Sequence, residues 1–225
     1  MTEEEWLTSS NDMAMLRQIE SKTSVRKLRL LTCAAARSEW DNLQFDHWRE
    51  QIEAGESLAD GRMSQEEWNH ARRNIYTIFT DDGATYRAIA EQCVNLLHAS
   101  RETVASYNMM AAVPLYSNHM IQRLSIVAGW QPVRQVLQER IQAILRDIVG
   151  NPFRPVEFDS RWRSESAVAL ASAIYADRAF DRMPILADAL EEAGCDHPDV
   201  LAYCRDPQQS HARGCWVVDL VLGKQ

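Results

Sequence analysis

The stretch CDHPDVLAYCRDPQQSHARGCW, residues 195–216, holds three of the chain's five cysteines and two of its six histidines. Thiolates and imidazoles bind zinc, and they also form nucleophile–base pairs, so two chemistries compete here with plain packing. A structural zinc site needs four Cys or His ligands in a tetrahedron, with sulfur at about 2.3 Å, and usually begins from a close cysteine pair. No C-x2-C occurs in the chain. Cys195 and Cys204 lie across a predicted helix, about 13 Å apart at roughly 1.5 Å per residue, too far for one ion. His197 fails with Cys204 for the same reason. Cys204, His211 and Cys215 are better placed. If the last helix begins near Ala212, His211 and Cys215 fall an i, i+4 step apart on one face, with Asp206 or Asp219 as a fourth ligand.

The same residues suit a thiol nucleophile. Cys215 follows Gly214 at a predicted helix N-terminus, where the helix dipole and unpaired N–H groups lower a thiol pKa. His211 would be the base and Asp219 the orienting carboxylate. Against this, the three lie close in sequence, whereas cysteine hydrolases draw them from distant segments. Trp216, Val217, Leu220 and Val221 also mark the last helix as largely buried. The third reading makes Cys204 and Cys215 small buried hydrophobes, the commonest fate of a cysteine outside a disulfide. His211 and Arg213 then brace the last carbonyls of the helix DVLAYCR.

Other polar groups point to ordinary roles. Glu3, Glu4 and Glu5 form an acidic first turn ahead of Trp6. Glu191 and Glu192 suit a solvated face. Glu66, Glu67 and His70 have spacing found on di-metal carboxylate helices, but those sites need a second such helix, so a capping-box glutamate and a surface histidine are expected. His98 and His119 stand alone. Arg26, Lys27, Arg29 and Arg37 give one early helix a basic side that can pair with acids or meet an acidic partner. No phosphate-binding glycine loop, dinucleotide fingerprint or H-E-x-x-H is present.

The elements that must position these groups read as helices throughout. SQEEWNHARRNIYTIF opens with the capping box Ser64 and Glu67 and carries Trp68, Ala71, Ile75, Ile78 and Phe79 on one face. QPVRQVLQERIQAILRDIVG starts at Pro132 and stripes Val133, Val136, Leu137, Ile141, Ile144, Leu145 and Ile148. Gly150 and Pro152 stop it. SVRKLRLLTCAAARSEW is apolar on most sides and reads as central. Within residues 80–130, Ile89, Cys93, Leu96 and Leu97 share helical spacing, and Pro114 breaks its segment. NPFRPVEFDSRW, residues 151–162, has two prolines that disfavour helix. Its Phe153, Val156, Phe158 and Trp162 make it an ordered crossing docked on the core, not a linker. Short helices follow in SAVALASAIYADRAF, in DRMPILADALEEAG with Asp181 as cap, in DHPDVLAYCR with Asp196 as cap, and in GCWVVDLVLG.

GNPFRPV, AIYADRAFDRMPILADALEEAGCDHPDVLAYCR and HARGCWVVDLVLGKQ resemble an uncharacterised bacterial family expanded as many paralogues in planctomycetes. MTEEEWL and RKLRLLTCAAAR resemble that family's start. The resemblance spans both ends and carries no known activity. It implies that His is typical at the position of Tyr203, and that cysteines are frequent at Ala35 and Ala36. These departures read as packing variants.

The chain has 225 residues, 46% apolar and 25% charged, with a net charge of −8. Such a chain can bury a substantial core without staples. The acidic balance argues against a nucleic-acid binder and against adsorption on an anionic membrane. The opening MTEEEWLTSS lacks the pattern of a signal peptide, and no apolar run approaches a membrane span. Five cysteines without an export signal suggest reduced thiols in the cytoplasm. The expectation is an all-α, compact multi-helix bundle: one domain over 1–225, divisible into a helical core 1–150 and a C-terminal cap 151–225. The leading function is a cytosolic binding or scaffolding module with a protein partner, and no cofactor is required by any motif. The alternatives are a Cys-dependent enzyme using Cys215, His211 and Asp219, or a zinc-stapled module using Cys204, His211 and Cys215.

Overall fold

The computed structural model describes residues 1–9, 11–19, 22–38, 46–68, 70 and 130–224. These residues form helices and turns, with no strand among them, so the fold is all-α. The chain divides into two compact units. One is Thr8–Gln142, joined by Met1, and the other is Thr2–Leu7 with Ala143–Gln225. The division therefore falls inside a helix, eight residues ahead of the boundary expected at Gly150.

In the first unit, α2 (Asp12–Ile19) precedes α3 (Val25–Arg37), which packs against α4 (Asp46–Ala59). Ser24 caps α3 by accepting the Lys27 N–H at 3.3 Å. Leu28, Leu30, Leu31 and Cys33 are buried along α3, and Cys33 shares a small core with Ile52, Leu58 and Trp68. Two of the basic residues on α3 answer buried carboxylates. Arg37 grips Glu56 with two bonds of 3.0 and 3.2 Å, and Arg26 reaches Asp60 at 3.3 Å. The capping box forms as expected: Ser64 N–H donates to Glu67 at 2.7 Å and Glu67 N–H to Ser64 Oγ at 3.1 Å. The stripe beyond Trp68, the Cys93 segment, His98, Pro114 and His119 lie outside the described residues.

The second unit gathers α1 (Glu3–Thr8), the end of α5 (Trp130–Val149), α6 (Glu165–Asp177), α7 (Met183–Glu192), α8 (Pro198–Arg205) and α9 (Trp216–Leu222). Trp6 is fully buried and donates its indole N–H to Gly150 O at 3.1 Å, while Arg146 returns a bond to Trp6 O at 3.1 Å. Residues 151–162 form an ordered crossing. Phe158 and Trp162 meet edge to face with centroids 5.2 Å apart, and the Trp162 indole donates to Gly194 O at 3.1 Å. Ile174, Met183, Leu186, Leu190, Val200 and Val217 form the core. Each such side chain contributes roughly 1.5–3 kcal/mol by leaving water.

Three local expectations are corrected. Asp181 lies in a 3-10 turn, Phe180–Arg182, and Arg182 occupies the N-cap of α7 without a side-chain bond. His197, not Asp196, occupies the N-cap of α8, because Pro198 already supplies the first helical position. Arg213 caps α6, not the DVLAYCR helix. It donates to Tyr175 O at 3.0 Å and Ala176 O at 3.3 Å, and its guanidinium lies over the Tyr175 ring.

Gly150 ends α5 at φ +72°, and a Cβ there would stand 3.1 Å from Trp216 Cγ. Both the left-handed backbone and the indole require glycine. Gly150→Ala is expected to cost about 1–3 kcal/mol, read as a lower urea midpoint at unchanged slope.

Candidate functional site

Asp147 occupies the last turn of α5 with only 1% of its surface exposed. It follows Ile144 and Leu145 and precedes Ile148, so the apolar face that docks α5 carries the carboxylate inward with it. Asp147 Oδ2 accepts the Ala212 N–H at 2.8 Å. Oδ1 accepts the Tyr203 hydroxyl and lies 3.1 Å from His211 Nδ1. A carboxylate only accepts, so the His211 hydrogen sits on Nδ1 in this arrangement. Tyr203 Oη is 3.2 Å from the same nitrogen and lies beside the Cys215 thiol. The donors to Asp147 come from α8 and from the loop after it.

Aromatic rings enclose the centre. Tyr203 packs edge-on against His211, with centroids 4.9 Å apart, and lies 4.9 Å from the Trp216 ring. Phe180 flanks His211 at 6.0 Å. The His211 side chain is 5% exposed and Cys215 is fully buried. Burial pushes the Asp147 carboxyl up, and its bonds from His211, Tyr203 and Ala212 pull the other way. Burial also drives the Tyr203 phenol well above its usual range, reinforced by the negative charges available at Cys215 and Asp147.

The carboxylate that meets His211 and Cys215 is thus Asp147. Donor atoms of Asp147, His211 and Cys215 all lie within 4.8 Å of one another, and neither Asp219, Asp206 nor Cys204 belongs to this group. The i, i+4 premise also changes. α9 begins at Trp216 with Cys215 as N-cap, so His211 lies in the loop before it. The two converge because Ala212–Cys215 forms a turn, closed by Cys215 N–H to Ala212 O at 3.0 Å. Asp219 is buried in the first turn of α9, its N–H bonded to Cys215 O at 3.0 Å. Asp206 forms a local turn with the Gln208 N–H at 2.9 Å. Cys204 lies in the apolar core, where burial and the nearby Cys195 push its thiol up to about 12. Glu66, Glu67 and His70 are exposed.

Sequence reasoning missed Asp147 and treated Tyr203 as a packing variant. The available signal was one acid within the apolar stripe of IQAILRDIVG.

A second feature is exposed. α7 turns Met183, Leu186 and Leu190 inward at 1% exposure or less, but presents Ile185 at 56%. The same segment carries Asp181, Arg182, Asp188, Glu191 and Glu192, all exposed. Arg205 of α8 bridges Asp188 at 2.7 Å and Glu191 at 2.6 Å.

The fold and the buried centre define an all-α protein with a polar core hub. No protein-family model, no curated protein and no solved structure matches the chain.

Asp147→Ala strands three donors and is expected to cost at least about 3 kcal/mol, against about 1–2 kcal/mol for Tyr203→Phe. In a double-mutant cycle by urea unfolding, Tyr203→Phe should cost less once Asp147 is gone.

Cys204 gives a pH prediction. Its folded pKa of about 12 exceeds the ordinary 9.0, so the folded state holds the proton more tightly. That stabilisation is intact below pH 9 and is lost as pH rises toward 12. Cys195 and Tyr203 shift in the same direction. Melting temperatures should fall across this window, and the fall should be shallower in Cys204→Ala.

Proposed function

We propose that the protein is a cytosolic helical binding module that docks a basic, amphipathic segment of a protein partner on the outer face of α7. The observation that carries this reading is Ile185, a large apolar side chain 56% exposed on a helix whose other large apolar residues are buried. The segment around it in the chain carries four exposed carboxylates, Asp181, Asp188, Glu191 and Glu192, of which Asp188 and Glu191 pair with Arg205. The chain as a whole carries a net charge of −8. An apolar anchor inside an acidic rim complements a helix with an apolar stripe flanked by Lys and Arg. The rim governs encounter rate and the anchor holds the complex.

The burial of Cys215 favours this module over a thiol-dependent enzyme, because a nucleophile needs a path to substrate. Cys33, Cys195, Cys204 and Cys215 are thiols, not disulfides, in keeping with a reducing compartment. No helix among the described residues is long and apolar enough to cross a membrane. The motif resemblance to the planctomycete-expanded family supports kinship and adds no activity.

A photo-crosslinking residue at position 185, used in the native host, identifies the partner. Titration of the purified pair then tests the reading. Ile185→Asp should weaken binding about tenfold or more while leaving stability within about 0.5 kcal/mol, and added salt should slow association. Equal affinity of Ile185→Asp and wild type would overturn it.

A further inference from the structure

The geometry points to a site for one divalent transition-metal ion of the zinc class at Asp147, His211 and Cys215. This goes beyond the docking reading for α7 and does not depend on it.

Three unlike donors, a carboxylate oxygen from the end of α5 and an imidazole nitrogen and a thiol sulfur from the turn before α9, stand within 4.8 Å of one another. A tetrahedral zinc ion has bonds of about 2.0–2.3 Å, which sets ligand-to-ligand edges at roughly 3.3–3.8 Å. The Asp147 Oδ1–His211 Nδ1 edge is already 3.1 Å. The remaining donor pairs lie within 4.8 Å.

Charge favours the same conclusion. Asp147 and His211 have side chains only 1% and 5% exposed, and Cys215 is fully buried. A carboxylate, a thiolate and a neutral imidazole around a doubly charged cation sum to zero. Burying a neutral assembly avoids the penalty of a bare internal charge. The donor set also selects the ion: thiolate and imidazole suit zinc or cobalt, whereas magnesium and calcium require oxygen cages.

The surroundings resemble those of a held ligand set. The Ala212 N–H fixes Asp147 Oδ2 at 2.8 Å, leaving Oδ1 to face the histidine. Tyr203 hydrogen-bonds Oδ1 from the side and orients it, as outer groups do around bound metals. Loading releases one proton, from the Cys215 sulfur. The His211 hydrogen moves from Nδ1 to Nε2, so the ring stays neutral while Nδ1 gives its lone pair to the ion.

The set differs from the Cys204–His211–Cys215 combination in containing a single sulfur. The test uses the full chain, stripped with chelator and then titrated with cobalt and, separately, zinc. Cobalt should bind at one equivalent, with the intense visible bands of a tetrahedral site and a thiolate-to-metal charge-transfer band. Cys204→Ser should retain the charge-transfer band and Cys215→Ser should lose it. X-ray absorption on the zinc-loaded wild type requires no variant to fold and should count one sulfur among nitrogen and oxygen neighbours. Two sulfurs, no sulfur, or no binding by the folded protein would each overturn the proposal.

Discussion

A carboxylate withdrawn almost completely from water persists in a fold only when its lone pairs are answered, because an uncompensated internal charge costs several kcal/mol. Asp147 meets that condition through three donors, Tyr203, His211 and Ala212. The requirement fixes more than one side chain. It sets the distance from α5 to α8, the path of the loop between α8 and α9, and the point at which α9 begins. The Tyr203 ring, held by its hydroxyl, then packs against Trp216, which lies over the backbone of Gly150. The end of α5 and the start of α9 are thereby joined twice, once by polar bonds and once by an indole that only glycine admits.

The first unit repeats the logic with a different partner. Glu56 and Asp60 are almost without exposed side-chain surface, and each is met by an arginine from α3. Arginine presents a planar fork, so Arg37 can hold both oxygens of Glu56 and fix the contact between α3 and α4. In the second unit, a tyrosine hydroxyl, a histidine and a backbone N–H surround the buried acid instead.

Sulfur serves two ends in the second unit. Cys195 and Cys204 fill an apolar core and stay protonated because burial disfavours the thiolate. Cys215 is as buried but faces a tyrosine hydroxyl, a histidine and a carboxylate. The difference lies in the neighbours. On the outside, α7 separates its faces with one exception: Ile185 stands in water among carboxylates, against the arrangement that burial alone would give.

The sequence by itself determined the all-α class, the Ser64–Glu67 capping box, the stop of α5 at Gly150 and the ordered crossing at 151–162. These rest on periodicity, capping and proline or glycine geometry, and they act within a few residues. It also directed attention to His211 and Cys215, since few residue types carry such chemistry. Tertiary structure alone decided that Asp147 and not Asp219 completes their group, that Cys204 belongs to the core, and that Tyr203 is a hub and not filler. Asp147 lies 64 residues from His211 in the chain. No local pattern encodes that meeting. It follows from how α5 docks its apolar stripe, a choice made by the packing of the whole unit and not by any one segment.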